Sequence, residues 1–447
     1  MSLYGALDTA VSGLSAQSAA FGNISDNIAN SQTVGFKGTD TSFSDYLTTS
    51  TATVNTSGAV VSTPEYQNNV QGAIAQSSNS LAMAISGQGF FPVSSPIGTA
   101  NGQTQFSPTP YYTRAGDFQM NSSGYLVNSA GDYLNGWSVN PTTGAVSQNT
   151  TSPIQVSQTA YNPVATSQLS LSANLPATPA AGTTVSSQIN VYDSLGTSHA
   201  ITLNWTKSTT TPNSWTVQIV SPDDQNTTPT SAVTDANGNH VLGTADVTFG
   251  TDGTIQSIAN PVSDYGMVGP PTTGGTGTPA SLSFSSQFSA GNNQAITLNL
   301  GTYGQSNGVT QYAGTTYSLN SITQDGVPPG SFSSVSTTSA GDIVVNYNNG
   351  QSRTIAQVPL VTFNNPDALQ RQNGQAYTAT QASGTPRTEA AGTNGAGSIV
   401  VNSVENSNVD IATQFTQLIV AQNAYSANAK VVTTANTLLQ ATLDMVR

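Results

Sequence analysis

The residues of this chain that could carry chemistry are few and scattered. Asp193, Ser194 and His199 supply the types of an orienting carboxylate, a nucleophile and a base. A triad is defined by geometry rather than by closeness in sequence, and this stretch reads as a turn leading into a strand. Asp235, Asn237, Asn239 and Asp246 fall at positions one, three, five and twelve of a calcium loop. His240 stands at position six, where the sharp turn needs glycine, so a hairpin turn is the better reading. The adjacent Asp223 and Asp224 offer half of an acid-base pair, but within Ser-Pro-Asp-Asp-Gln they read as a solvated loop. Gly87-Gln88-Gly89 has two glycines of a phosphate loop, yet it runs into Phe90 and Phe91 without a third glycine or a lysine. Close backbone packing accounts for it better. No catalytic, cofactor-binding or metal-binding residue is therefore assigned, and an enzyme is not expected. A secreted carbohydrate hydrolase would need two carboxylates in one pocket, with Asp223 and Asp246 the first to test.

The elements that would position these residues are built from an unusual composition. Of 447 residues, 8 are Lys or Arg and 21 are Asp or Glu, a net charge of −13 and a charged content of 6%; an average soluble domain carries about 25%. Ser, Thr, Asn and Gln replace the missing charges, while an apolar content of 36%, before 41 glycines are added, is enough to bury a core. With no basic stripe to neutralise phosphates, neither nucleic acid nor an anionic bilayer surface is an expected partner. No run of 18 apolar residues exists to span a membrane, and the N-terminus lacks the basic and apolar regions of a cleavable secretory signal. The absence of cysteine excludes disulfides, thiolate zinc sites and cysteine nucleophiles.

Proline placement divides the chain: all 22 prolines lie between Pro64 and Pro386. The proline-free ends carry helical periodicity. Leu3, Leu7, Ala10, Leu14, Gln17, Phe21, Ile24 and Ile28 follow a 4-3 spacing, as do Ile411, Phe415, Leu418, Gln422, Tyr425, Ala429, Val432, Asn436, Leu439, Leu443 and Val446. Val11, Ile419 and Leu438 lie off these seams, which makes each stripe wide enough for a bundle as well as a two-helix coil. Gln17, Gln422 and Asn436 sit on the seam, where a buried amide penalises wrong register. Asn408 is placed to cap the second helix. Between the ends, residues 201–205, 215–219, 296–300 and 358–363 read as strands, separated by turns at residues 121–124, 130–132, 252–253 and 348–350. The breaker clusters at 269–279 and 326–330 read as loops or linkers around an inserted β-domain.

Particular residues then carry a resemblance. Ser12-Gly13-Leu14, Asn27-Ile28-Ala29-Asn30 and Thr33-Val34-Gly35-Phe36-Lys37 resemble the N-terminal signature of the bacterial flagellar rod and hook family of axial proteins. Ile85-Ser86-Gly87-Gln88-Gly89-Phe90-Phe91, Thr113-Arg114-Ala115-Gly116-Asp117-Phe118, residues 124–128 and residues 134–136 follow in the family's order. Glu405 to Asp410 then leads into residues 419–430, which resemble its C-terminal helix, with Asn423 where the family commonly has Arg. The opening residues 1–7, the long middle insertion, residues 190–196 and residues 359–366 resemble the hook members more than the rods.

The resemblance implies an α+β, mainly β fold: terminal helices paired as a coiled coil, with nested, discontinuous β-domains of barrel or sandwich type. Residues 1–30 and 405–447 would form the helical core, 31–163 and 330–404 a middle β-domain, and 164–329 an inserted outer β-domain. It implies a structural subunit that homopolymerises into a curved, flexible tube passing torque from motor to filament, found in the flagellum after type III export. Partners would be the rod, a hook cap, the hook-filament junction proteins and the export apparatus. The expected assembly interface is Leu3, Leu7, Leu14, Phe21, Ile24 and Ile28 with Asn27 and Asn30, and Ile411, Phe415, Leu418, Gln422, Tyr425, Val432, Asn436, Leu439 and Leu443. Such helices are marginal alone and order on assembly. A distal rod or other axial protein, and a secreted β-rich adhesin or surface-layer protein whose helices form a monomeric bundle, are the alternatives.

Overall fold

The computed structural model describes residues 3–50, 55–100, 102–141, 143–225, 234–235, 237–262, 275–289 and 292–445. It is a mainly β chain with one long helix at each end: α1 (Leu3–Ala29) and α2 (Ile411–Met445). The chain forms two compact units, the first of residues 1–158, 333–346 and 352–447, the second of residues 159–332 and 347–351.

In the first unit α1 is followed directly by a long antiparallel hairpin, β1 (Thr39–Ser50) and β2 (Asn55–Tyr66). The helix stops at Ala29, and Gly35 beyond it takes φ +70° against the Ala115 backbone; an added Cβ would sit 2.4 Å from the Ala115 nitrogen, so only glycine fits. Strands from both flanks of the insertion pair with each other. Met83–Ser86 pairs with Ser398–Val401, Ile74–Gln76 with Ser403–Glu405, and Tyr111–Thr113 lies between Phe91–Ser94 and Ala376–Thr378. Phe90, Tyr112, Val361, Phe363, Leu369 and Tyr377 form one buried cluster of this unit. The N-cap of α2 is Asp410, whose Oδ1 accepts the Thr413 amide at 2.7 Å, and not Asn408 as expected. Asn408 instead accepts from the Gly38 amide (2.7 Å) and donates to the Gln67 and Val70 carbonyls, holding the start of the hairpin beside the start of α2.

The second unit is a sandwich. One sheet is a five-stranded antiparallel meander in chain order: Thr184–Tyr192, Ser198–Lys207, Ser214–Ser221, His240–Phe249 and Ile255–Val262. The other is mixed: Gln168–Asn174 runs parallel to Asn292–Thr302 and Val309–Thr310 and antiparallel to Ser318–Gln324. The expected strands 201–205, 215–219 and 296–300 lie inside these. Strict alternation fixes the register: Ile201, Leu203 and Trp205 point inward with Trp215, Val217, Ile219, Leu282, Phe284, Leu298 and Leu300, all buried in one core. The outward residues are Thr, Asn and Gln. Tyr161 and Val164 bridge to Gly330 and Val327, so the 326–330 cluster is a paired closing segment rather than a free linker. Most of the 269–279 cluster lies outside the described residues.

Candidate assembly interface

The two terminal helices pack antiparallel. Asn27 Nδ2 donates to Gln414 Oε1 (3.0 Å), the Phe21 and Tyr425 rings meet edge-on at 6.1 Å, and Gly13 lies against Asn428. The seam keeps Ala10 and Ile24 of the expected one and elsewhere buries the residue just before the expected position. Its buried positions on α1 are Ala10, Gly13, Ala16, Ala20, Ile24 and Asn27, and on α2 Gln414, Ala421 and Ala435. A Cβ on Gly13 would stand 2.9 Å from Asn428 Nδ2, so the glycine leaves room for the Asn428 side chain across the seam. Small side chains permit that packing, and the larger residues are pushed to its flanks. Leu7, Leu14, Phe21 and Ile28 are half-buried beside it, as are Leu418, Val432 and Leu439 on α2. Ile24 and Asn27 are fully buried, and Asn30 closes the end of α1 by donating to the Asp26 carbonyl and side chain. The Leu3 side chain and Val446 lie outside the described residues.

α1 has a second cover. Asn23 donates to Thr41 Oγ1 (2.8 Å), Ser12 Oγ accepts the Val60 amide (3.0 Å), and Asn27 exchanges bonds with both backbone groups of Thr39 at 2.9 Å. Asn27 therefore uses its whole amide to tie α1, hairpin and α2 together, which removes the cost of burying it. Among the described residues α2 has no second cover of this kind. Ile411, Phe415, Ile419, Val420, Leu438 and Leu443 are 41–68% exposed, and Gln422, Tyr425 and Asn436 are exposed with them. Scattered apolar residues are normal on a surface, but this many along one helix, set on both flanks of its buried side, mark an interaction surface.

Below the helices, charges that sequence reasoning left unassigned converge. Lys37 Nζ lies 2.5 Å from Glu405 Oε1, and Arg114 Nη1 lies 3.1 Å from Glu405 Oε2, all buried. Lys37 also donates to the Val70 carbonyl, Arg114 to the Gly87 carbonyl, and the Gly72 amide donates to Glu405 Oε1. Burial pulls the Lys37 ammonium below its usual range; Glu405 opposes that shift and Arg114 adds to it. Burial lowers Arg114 as well, again opposed by Glu405. The three charges come from three of the recognised motifs. In a chain this poor in charge, their occurrence inside apolar motifs was the available signal.

The candidates for chemistry resolve into structure. Asp193 Oδ1 accepts the Leu195 and Thr197 amides and organises the turn before His199, whose ring stacks on Phe288 at 4.3 Å. Asp223 accepts the Ala200 amide, while Asp224 accepts Ser286 Oγ and the Gln287 amide, so the two carboxylates serve different segments. Asp235 accepts the Asn237 and Asn239 amides in a turn, and Asp246 lies on a strand, held by Thr216 and Asn260. Gly87 and Gly89 take φ +101° and +129°, with Gly397 packed on Gly87.

Four family models match successive stretches: flagella basal body rod protein over residues 7–37, the flagellar hook protein FlgE/F/G D1 domain over 84–174, the flagellar basal body protein FlaE D2 domain over 162–327, and the flagellar basal body rod FlgEFG protein C-terminal region over 401–445. A flagellar hook protein FlgE of Brucella abortus is 30% identical over 452 residues, covering 100% of both chains. The chain belongs to the flagellar hook protein FlgE family. FlgE of Rhizobium meliloti is likewise 30% identical over the full length of both chains, and FlgE of Salmonella typhimurium is 29% identical over 98% of each. A solved structure of Helicobacter pylori FlgE2 is similar at a TM-score of 0.46 and 14% identity, over 73% of this chain and 98% of that one. In this FlgE-family chain the motif residues Lys37, Arg114 and Glu405 meet in one buried ion cluster of the first unit, Lys37 eight residues after the end of α1 and Glu405 six residues before α2.

Proposed function

We propose that this chain is a structural subunit of the bacterial flagellar hook, self-assembling into a curved, flexible tube that passes torque from the motor and rod to the filament. The observation that carries the reading is the exposed apolar surface of α2, beside an α1 that is covered by both α2 and the hairpin and exposes only Tyr4 and Val11 among its large apolar side chains in the described residues. Burying such a surface against further copies gains about 25 cal/mol per Å² of apolar area, less the entropy of ordering the helices. The assembly interface consists of the residues named from the sequence: those flanking the helical seam hold each subunit's pair, and Ile411, Phe415 and Leu443 meet neighbours. Residues 1–30 with 405–447 act as the inner helical core, 31–163 with 330–404 as the middle domain and 164–329 as the outer one. The polar, nearly uncharged outward faces of the second unit allow contacts between copies to slide and re-form as the tube bends, where fixed ion pairs would hold one spacing. Its partners are further copies of itself, the rod, a hook cap, the junction proteins and the type III export apparatus; neither nucleic acid nor membrane insertion is part of the role, and it catalyses no reaction. Electron micrographs of flagella from a strain lacking the chain test this: the structures should end at the rod, and a normal hook would refute the proposal.

A further inference from the structure

The charges of the first unit do not balance where they stand. The β1–β2 register sets Asp40 directly opposite Glu65, and like charges facing across an antiparallel pair repel. Asp40 accepts a hydrogen bond from Gln67 at 2.6 Å, but among the described residues neither carboxylate has a cation within ion-pairing distance. Both line a groove of about 380 Å³ between α1, the hairpin base and α2, together with Ile24, Phe43 and Val420. Phe43 is 45% exposed and Val420 63%.

The chain has few cations to offer in return. Lys37 and Arg114 are spent on Glu405, Arg371 stacks on Phe36 and Tyr66, and Lys207 is buried over Trp215. Arg353 and Arg387 lie on β-strands; Lys430 alone of the described cations stands on a terminal helix, exposed on α2 beside the exposed Val431 and without an ion-pair partner among the described residues. It cannot serve its own groove. The wall that α2 gives the groove ends at Ala421, and nine further residues of helix carry Lys430 about 14 Å along the axis, more than a lysine side chain spans.

We propose that the groove receives Lys430 from α2 of a second copy, its ammonium between Asp40 and Glu65 and Val431 against Phe43 and Val420. The inference rests on the hook-subunit reading and names the contact by which one copy selects the next. A contact of this kind sets register and partner choice more than raw affinity. Polymerisation of purified full-length protein, followed by sedimentation and electron microscopy, tests it. Lys430→Glu and Glu65→Lys, each with an unchanged monomer melt, should raise the critical concentration by about tenfold or more, since each sets like charges against each other. A mixture of the two variants should assemble, and so should the double variant, because each restores opposite charges across the contact. Assembly of Lys430→Glu at the wild-type concentration, or failure of the mixture, would overturn the proposal. Phe415→Ser separates the levels: if it also polymerises normally, the apolar-surface reading itself is wrong, whereas if it is impaired while Lys430→Glu is normal, only the groove contact is.

Discussion

The two units solve the shortage of charge in opposite ways. The second unit packs a dry core: two sheets close over Leu, Ile, Val, Trp and Phe, Asp193 and Asp235 hold turns, Asp246 lies on a strand, and Lys207 is buried over the Trp215 ring. The first unit buries ions. Lys37, Arg114 and Glu405 meet inside it, and its helices leave apolar surface in the open. A dry sandwich is complete by itself, whereas a unit with an ionic knot and an uncovered helix face is specified for position and left unfinished for partners. Under the proposed function, this difference puts polymer cohesion in the first unit.

The largest test of that contrast removes the last 30 residues. Polymerisation should be abolished, while the second unit keeps its melting transition and its buried Trp205 and Trp215 fluorescence. Polymers of normal appearance, seen by electron microscopy, would place cohesion elsewhere. Next is Glu405→Gln, which leaves two buried cations without a counter-charge. Removing one partner of a buried pair costs about 3–5 kcal/mol, so calorimetry should show the first unit's transition falling and the second's unmoved. A smaller pair of effects lies within the helices. Ile24→Ala, in the covered seam, should lower monomer stability by about 2–4 kcal/mol. Phe415→Ser, on the open surface of α2, should leave the monomer melt within about 0.5 kcal/mol and raise only the critical concentration.

Many of the helices and strands could be read from residues alone, for physical reasons that also mark where reading stops. Alternation at 201–205 and 215–219 specified strands because a half-buried strand admits little else. Periodicity located both helices and set Ala10 and Ile24 on the seam, but large side chains dominate a hydrophobic pattern, so it took Leu14, Phe21 and Gln422 where the neighbouring Gly13, Ala20 and Ala421 are the buried residues. Asn408 and Asp410 are both competent caps two positions apart, and only the hairpin's demand for Asn408 decides between them. The knot of Lys37, Arg114 and Glu405 spans 368 positions between its first and last members, a separation no local pattern reports.

The smallest predicted effect sharpens the contrast through pH, because Asp132 of the first unit and Asp193 and Asp325 of the second respond with opposite sign. In the first unit burial pushes the Asp132 carboxyl up to about 6, against a bond to Ser95 that lowers it. The folded form therefore holds a proton that the unfolded chain has already released, and stability is greatest below the ordinary carboxylate pKa and declines as pH rises towards 6. In the second unit Asp193 and Asp325 sit below the usual range: burial would raise each, but the amides of Thr197 and Leu195 with His199, and the hydroxyl and amide of Ser167 with the Gln168 amide, outweigh it. Their contribution is present above the ordinary pKa and is lost as pH falls below it. Calorimetry from pH 7.5 to 3.5 should accordingly show the first transition strengthening between about 6 and 4 and the second weakening below about 4. Asp132→Asn should flatten the first response and gain about 1 kcal/mol at neutral pH, a figure reduced for screening by water near the carboxyl. If both transitions move together in the variant and the parent, the ionisable groups of the two units are not doing separate things, and the division between a buried-ion unit and a dry one loses its thermodynamic meaning.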